Sequence, residues 1–357
     1  MIDWRSSMSQ TFEYYTVDPN TWKDIKKLDN VKGCNITRDA EAETLGSATI
    51  DVTDSVGECY IRAYLIASQN GLKEKVPMGT FLVQTPSSKF DGKIRNVSMD
   101  AYTPLLELKE SYPPIGYSML KGDDIMSAAY RLVRENARAP VVETKCSDED
   151  YAKLLNDFVA DPSETWLSFI TDLIANSKYV LDLDELGRIL FAPKQDASSL
   201  QPVWTFGDDD GSILCPEITM EHDLYGIPNV VEVVYSNGNE NHYVRVVNDD
   251  INSPTSIPNR GREIIHRVTD PELAGNDPSV KQLEAYAEGL LRELSTVEYS
   301  ITYTHGYCPV RVGDCVYINY TRANLRGIRA KIVRQSINCT PGCLVNEKAI
   351  FTEKLWR

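Results

Sequence analysis

The hydrophobic pattern of this chain changes its period twice between the two ends. Polarity alternates over residues 48–52, where Ala48, Ile50 and Val52 are separated by polar residues, as expected for a strand with one buried face. From residue 123 apolar side chains recur at helical spacing, and alternation returns in the last third of the chain. This order restricts the fold to a mixed segment between two β blocks.

The first β block contains four candidate strands, each rich in apolar and β-branched residues. They lie at residues 48–52, 60–66, 79–83 and 95–102. Turn sequences separate them, Gln69-Asn70-Gly71 and Phe90-Asp91-Gly92-Lys93. Short strands at this spacing predict a small barrel or sandwich over residues 1–107.

Three candidate helices follow, each with apolar residues at spacings of three and four. The first begins at residue 125, with Asp123 or Asp124 as its cap. The second covers residues 151–159, and the third covers 166–174 with Ser163 as its N-cap. The pattern predicts a helical layer in the middle of the chain.

A β-hairpin is predicted directly after the third helix. Its strands lie at residues 179–183 and 188–193, and Asp184-Glu185-Leu186-Gly187 forms the turn between them. Helices followed by a hairpin indicate that residues 108–202 form a mixed α+β domain.

The last block is again mainly β. Strands at residues 229–235 and 243–247 surround Asn237-Gly238, a strong hairpin turn. Residues 248–278 are rich in Asn, Pro, Asp and Gly, which predicts a long exposed connection. One helix over 280–294 follows, and three more strands are predicted at 297–303, 316–320 and 328–333. Residues 203–357 therefore form a second β domain with an inserted loop and helix.

The two β blocks share a weak echo in sequence. Ile36-Thr37 and Ile218-Thr219 each precede a Gly-containing turn and a strand. The spacings differ slightly, so duplication and chance both explain the echo. The fold class expected from the patterns is α+β, mainly β.

Charge limits the partners that the chain can bind. The 52 acidic and 37 basic residues give a formal net charge of −15. Such a balance argues against wrapping nucleic acid or coating an anionic membrane, since both require basic patches. No apolar run reaches the roughly 18 to 20 residues that span a bilayer, and the N-terminus lacks a secretory pattern. We therefore expect no membrane insertion and folding in the cytoplasm.

Residues that could carry chemistry are scattered. Four histidines, His222, His242, His266 and His305, lie outside metal-ligand spacing, and neither a Gly-x-Ser-x-Gly elbow nor a phosphate-binding loop is present. His266 or His305 could form a nucleophilic dyad with a cysteine. The expectation is nevertheless no catalytic, cofactor-binding or metal-binding residue.

The acidic run Asp208-Asp209-Asp210-Gly211 has two possible readings. Carboxylates before a glycine can bind calcium when they alternate along the loop. Here they are consecutive, and no glutamate follows at the spacing of a twelve-residue loop. The sequence favours a solvated turn between strands.

Four short motifs, in this order, carry a likeness to a known family. They are GSATIDV at 46–52 with its downstream strands PMGTFLV and SMDAYTPLL, TWLSFI at 165–170 with DELGRILF at 184–191, IPNVVEV at 227–233, and VRVGDCV at 310–316. In order and spacing the chain resembles the phage tail hub family, which includes the T-even baseplate hub, the Mu-type hub and the late control protein D group. The likeness covers most of the chain.

The resemblance implies a structural protein of the virion tail tip or baseplate, assembled in the bacterial cytoplasm and without enzymatic activity or cofactor. It implies two similar small β-barrels, one before and one after the α+β domain. The resemblance also implies a homotrimer, in which three chains present six barrels. Such a ring matches a six-fold tail tube through its barrels and a three-fold spike or fibre through its chains, and so joins the two. The expected partners are a tail tube or distal tail protein, a spike or fibre protein and a tape-measure protein.

The same resemblance makes DNA a passing molecule, because the exit channel of a tail tip conducts the genome without holding it. An acidic channel wall would repel phosphate. Two alternatives stay open. A tail-associated peptidoglycan or peptide hydrolase would have a triad or a glutamate pair in a cleft, and a carbohydrate-binding receptor module would have an exposed aromatic groove.

The state of the eight cysteines is testable directly. They are mostly dispersed, and the one close pair, Cys339 and Cys343, has no second pair at zinc-site spacing. Because folding in a reducing cytoplasm keeps thiols free, titration of denatured protein without reductant should find close to eight thiols per chain. A stoichiometric Cys339–Cys343 disulfide, or bound zinc, would contradict this prediction.

Overall fold

Alternating polarity in the first β block becomes alternating burial in the structure. This computed structural model describes residues 2–54, 56–90, 92, 95–146, 149–195, 199–236, 241–271 and 278–356. The block forms seven strands, β1 (Ser9–Val17), β2 (Asp24–Leu28), β3 (Val31–Asp39), β4 (Gly46–Val52), β5 (Tyr60–Gln69), β6 (Leu72–Phe90) and β7 (Arg95–Tyr102). In β4, Ala48, Ile50 and Val52 are buried while Asp51 is exposed. All four predicted strands are confirmed.

The turn predicted at Asn70-Gly71 joins β5 to β6. Both residues have positive φ, 49° and 80°, as a tight hairpin turn requires. The other predicted turn, at residues 90–93, lies largely outside the described residues. Strands β1, β2 and β3 were not predicted.

The described part of the middle segment contains three helices and short strands. They are α1 (Leu106–Lys109), β8 (Ser118–Met119), α2 (Ile125–Asn136), β9 (Val141–Val142), a 3-10 turn (Glu149–Tyr151), β10 (Phe158–Val159), α3 (Trp166–Ala175), β11 (Tyr179–Leu183) and β12 (Ile189–Pro193). Helix α2 begins as predicted, because the Asp124 side chain accepts a hydrogen bond from the backbone N–H of Ser127 at 2.8 Å. The hairpin of β11 and β12 is also confirmed.

The helix predicted over residues 151–159 is wrong. This stretch is a 3-10 turn followed by extended chain, and the backbone of Leu154 hydrogen-bonds Asp123 and Gly122 of the preceding segment. Leu155 and Val159, expected on an apolar helix face, are 72% and 60% exposed. A nine-residue pattern is too short to oppose tertiary pairing, since isolated helices of this length are marginal in water.

The N-cap of α3 also differs from the prediction. Thr165, rather than Ser163, accepts the hydrogen bond from the N–H of Ser168 at 3.2 Å. Ser163 lies two residues earlier, where its hydroxyl donates to Asp161. The face of α3 that was predicted to be apolar is buried in the core of the middle segment.

The last block contains most of the remaining strands. Its elements are β13 (Pro202–Gly207), β14 (Leu214–His222), β15 (Val230–Ser236), β16 (Asn241–Val247), α4 (Ile257–Arg260), β17 (Ile265–Thr269), α5 (Val280–Leu294), β18 (Thr296–Gly306), β19 (Cys315–Tyr320), a 3-10 turn (Thr321–Ala323), β20 (Leu325–Asn338) and β21 (Leu344–Lys354). The predicted strands and helix are confirmed, while the Asn237-Gly238 turn lies outside the described residues.

The connection predicted at 248–278 is only partly correct. It contains α4, and β17 pairs in parallel with β15. Asn248 is fully buried, and its amide donates to the hydroxyls of Ser253 and Thr255. The described residues of this segment are mostly exposed, as predicted, but they also include a buried hydrogen-bonded turn around Asn248 and a paired strand.

One large sheet contains strands of both β blocks. Its order is β14-β18-β21-β20-β3-β4-β7-β6-β5-β1-β2, with β19 on β20 and β13 on β19. The blocks meet where β3 and β20 pair antiparallel, from Arg334 opposite Asp39 to Asn338 opposite Asn35. The mainly β, α+β class is therefore confirmed. Within the described residues the sheet does not close into a barrel.

The chain divides into two compact units. One contains Met1–Ile218 and Tyr303–Ala349, and the other contains Thr219–Thr302 and Ile350–Arg357. In the second unit, Leu283, Ala287 and Leu291 of α5 cover the sheet of β16, β15 and β17. None of the described helices combines the length and the apolar character needed to cross a membrane. The division into 1–107, 108–202 and 203–357 stays a prediction.

The cap of α3 gives a direct test of this local structure. Thr165→Ala removes the acceptor for the Ser168 N–H and should lower the free energy of unfolding by about 1 kcal/mol. Ser163→Ala, at the position that the sequence favoured, should cost clearly less. Urea unfolding of both variants measures the difference, and an equal or larger loss for Ser163→Ala would contradict the observed cap.

Candidate functional site

The hairpin of β11 and β12 lies at the junction of both β blocks, within the first compact unit. Its turn is held locally, because the carboxylate of Asp184 accepts hydrogen bonds from the N–H groups of Leu186 and Arg188 at 3.0 and 2.8 Å. Gly187 has a φ of 72°, which favours glycine. The turn thus presents the carbonyl of Leu186 outward in a fixed direction.

Three donors of the first β block converge on that carbonyl. The indole N–H of Trp22, the hydroxyl of Thr80 and a guanidinium N–H of Arg62 donate to the Leu186 oxygen at 2.8, 2.9 and 3.1 Å. A carbonyl oxygen has two lone pairs, so this acceptor is fully used. The tip of the hairpin is therefore fixed to the first β block.

Arg62 organises this contact from inside the sheet. Its residue surface is 4% exposed, and all five of its N–H groups have acceptors. They reach the Leu186 carbonyl, the Thr80 hydroxyl, the Trp22 carbonyl and the Asp24 carboxylate, the last at 2.9 Å. A buried charge is tolerated only with such complete pairing. An arginine inside the apolar run 60–66 was the sequence signal for this contact, and it was missed.

The other side of the hairpin is held by the last β block. The guanidinium of Arg311 donates to both carboxylate oxygens of Asp182, at 3.1 and 3.0 Å, and to the Leu183 carbonyl at 2.7 Å. Burial raises the pKa of Asp182 against the opposing pull of Arg311. Burial lowers the pKa of Arg311, but the carboxylates around it, led by Asp182 and Glu185, together outweigh burial and raise that pKa above its usual range. One guanidinium nitrogen, Nη2, makes all three contacts, and its approach to both carboxylate oxygens of Asp182 indicates an ion pair.

A cleft of about 460 Å³ lies beside this hairpin. Met78, Phe81 and Leu181 give its wall an apolar part, while Asp182 and Arg311 give it charge. Arg311 pairs with Asp182 here, Arg38 lies 3.7 Å from Glu185, and Lys331 donates to the Gln195 carbonyl. The arrangement can position β blocks and receive a side chain of mixed character, and the described residues that line it include neither histidine nor cysteine.

A second cluster of polar groups is sealed inside the last β block. His305 and Glu347 are 0% exposed and Cys308 is 1% exposed. The Cys308 sulfur lies 3.8 Å from His305 Nδ1, and His305 Nε2 lies 3.2 Å from Glu347 Oε1. Tyr303 and Gln335 donate to the two Glu347 oxygens, each at 2.6 Å. The structure therefore does bring His305 beside a cysteine, one of the dyads that the sequence allowed.

The geometry of this cluster does not suit nucleophilic catalysis. His305 Nδ1 lies 2.7 Å from the Gly306 carbonyl, which can only accept, so this nitrogen carries the proton and cannot act as a base toward Cys308. Burial raises the pKa of Cys308, and Glu347 adds to the shift, so the thiol stays protonated. The Nε2–Glu347 contact is short but is not aligned as a hydrogen bond. The cluster is structural.

The acidic run at residues 208–211 was a candidate calcium site, and its hydrogen bonds show what its carboxylates do. Asp208 accepts hydrogen bonds from the Thr321 hydroxyl and the Arg322 N–H, which lowers its pKa, and Asp209 accepts from Gly211 in the turn between β13 and β14. That turn is the predicted alternative to a calcium loop. Within the described part of the chain, no three potential ligands among His, Cys, Asp and Glu are grouped to hold a metal.

The other predicted residues do not join these clusters. His266 is exposed on β17, in the second unit, and takes part in none of the contacts described for His305. All eight cysteines lie in the described residues, and none of them is bridged there. Cys339 and Cys343 are both buried.

The comparisons with known proteins bear on the fold. No protein-family model and no curated protein matches the chain. Among solved structures, a tail protein from Neisseria meningitidis MC58 superimposes with a TM-score of 0.61 at 12% identity, over 97% of this chain and 98% of that one. The 43 kDa tail protein of prophage MuSo2 from Shewanella oneidensis gives a TM-score of 0.58 at 12% identity, over 95% and 97%.

The chain therefore has the fold of these tail proteins over nearly its whole length. The resemblance to phage tail proteins inferred from the four sequence motifs is confirmed for the fold. At 12% identity the similarity concerns architecture, so residue roles have to come from the contacts in this chain.

The close packing at the hairpin junction predicts that a glycine-to-alanine substitution lowers the free energy of unfolding more there than at an open turn. A Cβ on Gly187 would lie 2.7 Å from the Thr80 Cβ, whereas a Cβ on Gly116, with a φ of 80°, would meet nothing within 4 Å. Both Ala variants pay about 1 kcal/mol for the left-handed backbone. Gly187→Ala should lose roughly a further 1–3 kcal/mol from overpacking. Urea unfolding measures both, and equal losses would contradict the close junction.

Proposed function

We propose that this chain is a structural subunit of the tail tip or baseplate hub of a phage or phage-like particle. The observation that carries the proposal is that two β blocks, far apart in sequence, share one sheet and are both fixed to one hairpin. The likeness in fold to tail proteins supports it. Such a subunit acts by holding surfaces in register, and it needs no reactive centre.

We further propose that three copies form a ring in which the two β blocks serve as comparable tube-forming units. Six such units then match a six-fold tube, while the three-fold repeat of the chain matches a spike or fibre. Pairing of β3 with β20 supports this arrangement, because it fixes one block against the other within each chain. A ring also shields strand edges that a single copy exposes.

The proposed location is the virion tail, between a tail tube or distal tail protein and a spike or fibre, with a tape-measure protein as a further neighbour. The net charge of −15 supports a channel through which DNA passes without binding. Carboxylates on the channel wall repel phosphate, so the genome slides rather than adheres.

Electron cryo-microscopy of the full chain, alone and with its tube protein, tests the ring. The expected result is a three-fold ring with a central channel and both β blocks facing the axis. Arg311→Ala, which frees the hairpin from the last β block, should reduce the fraction of complete rings, whereas Arg326→Ala, an exposed arginine on β20, should not. An assembly in which only one β block reaches the axis would refute the proposal.

A further inference from the structure

Two segments of the middle region form a two-stranded arm, defined here as residues 117–124 and 153–160. They run antiparallel, with β8 paired to β10 and Met119 opposite Phe158. Backbone hydrogen bonds extend the pairing in both directions, from Ala160 to Tyr117 at 3.0 Å and from Gly122 to Leu154 at 2.9 Å. The arm is therefore an ordered surface ribbon.

This arm is apolar on both faces. On the inner face, Met119 and Leu154 are 4% and 5% exposed and join the core of the middle segment. On the outer face, Leu120, Leu155 and Val159 are 63%, 72% and 60% exposed. A ribbon covered on one side normally places polar residues on the other. Exposed apolar residues in such a group indicate an interaction surface.

The surroundings of the arm are acidic. Residues 111–124 and 149–164 contain two lysines, Lys121 and Lys153, and seven carboxylate residues. A partner that covers the apolar centre must therefore bring basic groups to the rim, because like charges across an interface are strongly unfavourable. In a chain of net charge −15, few surfaces meet this requirement.

One surface of the same chain does meet it. Strand β2 ends the sheet order, and its Ile25 is 67% exposed. Lysines follow one another around it, at positions 23, 26, 27 and 32, and all four are exposed. Two acidic residues lie in the same stretch: the Asp24 carboxylate pairs with Arg62 at 2.9 Å, and Asp29 is exposed. Lys27 already pairs with Glu13 at 2.8 Å. This basic edge, residues 23–32, therefore presents exposed Ile25 beside Lys23, Lys26 and Lys32, and its lysines outnumber its acidic residues by four to two.

We propose that the arm of one copy docks on the basic edge of a second copy. Apolar contact of Leu120, Leu155 and Val159 with Ile25 supplies the centre, and the lysines of the edge face the carboxylates of the arm. Because the two surfaces differ, each docked pair still has one unoccupied arm and one unoccupied edge. In a closed ring every arm and every edge is occupied. Only this closure rests on the proposed function.

A photo-reactive phenylalanine analogue at position 155 of the full chain tests the contact. Illumination across a range of protein concentrations, and in assembled particles, should yield a product of twice the chain mass. Its cross-linked peptide should map to residues 23–32 of the second copy. The matched control is position 251, where Ile251 is 74% exposed but lies in the other compact unit, and it should give no such product.

A substitution gives an independent readout. Leu155→Glu should reduce the self-associated fraction about tenfold, as for a central interface residue, and Ile251→Glu should leave it unchanged. Both sites are exposed, so folding is preserved. Cross-links that map outside residues 23–32, that join position 155 to another protein, or that fail to form at any concentration and in particles would overturn the proposal.

The outcomes also separate the two proposals. A three-fold ring without the cross-link from position 155 to residues 23–32 would remove the docking contact and leave the tail-tip role standing. The cross-link in a dimer or an open filament would keep the contact and remove the ring.

Discussion

One backbone oxygen, the carbonyl of Leu186, organises the first compact unit. Three donors of the first β block reach it, and one of them belongs to Arg62, a buried charge with every N–H group used. On the other face of the same hairpin, Arg311 of the last β block binds Asp182 and the Leu183 carbonyl. The hairpin is itself part of a packed layer, because β12 pairs with β9 and Leu181, Ile189 and Phe191 lie in the core of the middle segment. The contacts with the β blocks therefore hold an already packed hairpin in place.

Local structure could be predicted where contacts between residues close in sequence, such as turns and helix caps, determine it. The hairpin of β11 and β12 followed from its four-residue turn, and α2 from Asp124 and a helical repeat of buried side chains. The helix over residues 151–159 failed because backbone pairing with residues 117–124 outweighed a weak periodicity. The pairing of β3 with β20 was beyond prediction, since nothing local in either strand specifies a partner so distant in sequence.

The candidate site was predictable only in part. His305 was considered beside a cysteine, and the fold does place Cys308 next to it, but burial and the Gly306 carbonyl assign the cluster a structural role. The junction residues Arg62 and Arg311 were not singled out. An arginine within an apolar strand was visible in the sequence, yet its acceptor, a carbonyl 124 residues away, was not.

The pairing of β3 with β20 can form only late in synthesis. About 300 residues separate the two strands, and at roughly 5–20 residues per second the ribosome needs about 15–60 s to make them. During that interval the emerging N-terminal strands carry an open β3 edge that can pair with a neighbouring nascent chain. Contacts so distant in sequence also slow the search for the native sheet. Production of this protein is therefore expected to depend on chaperones that cover the edge until its own last strands arrive.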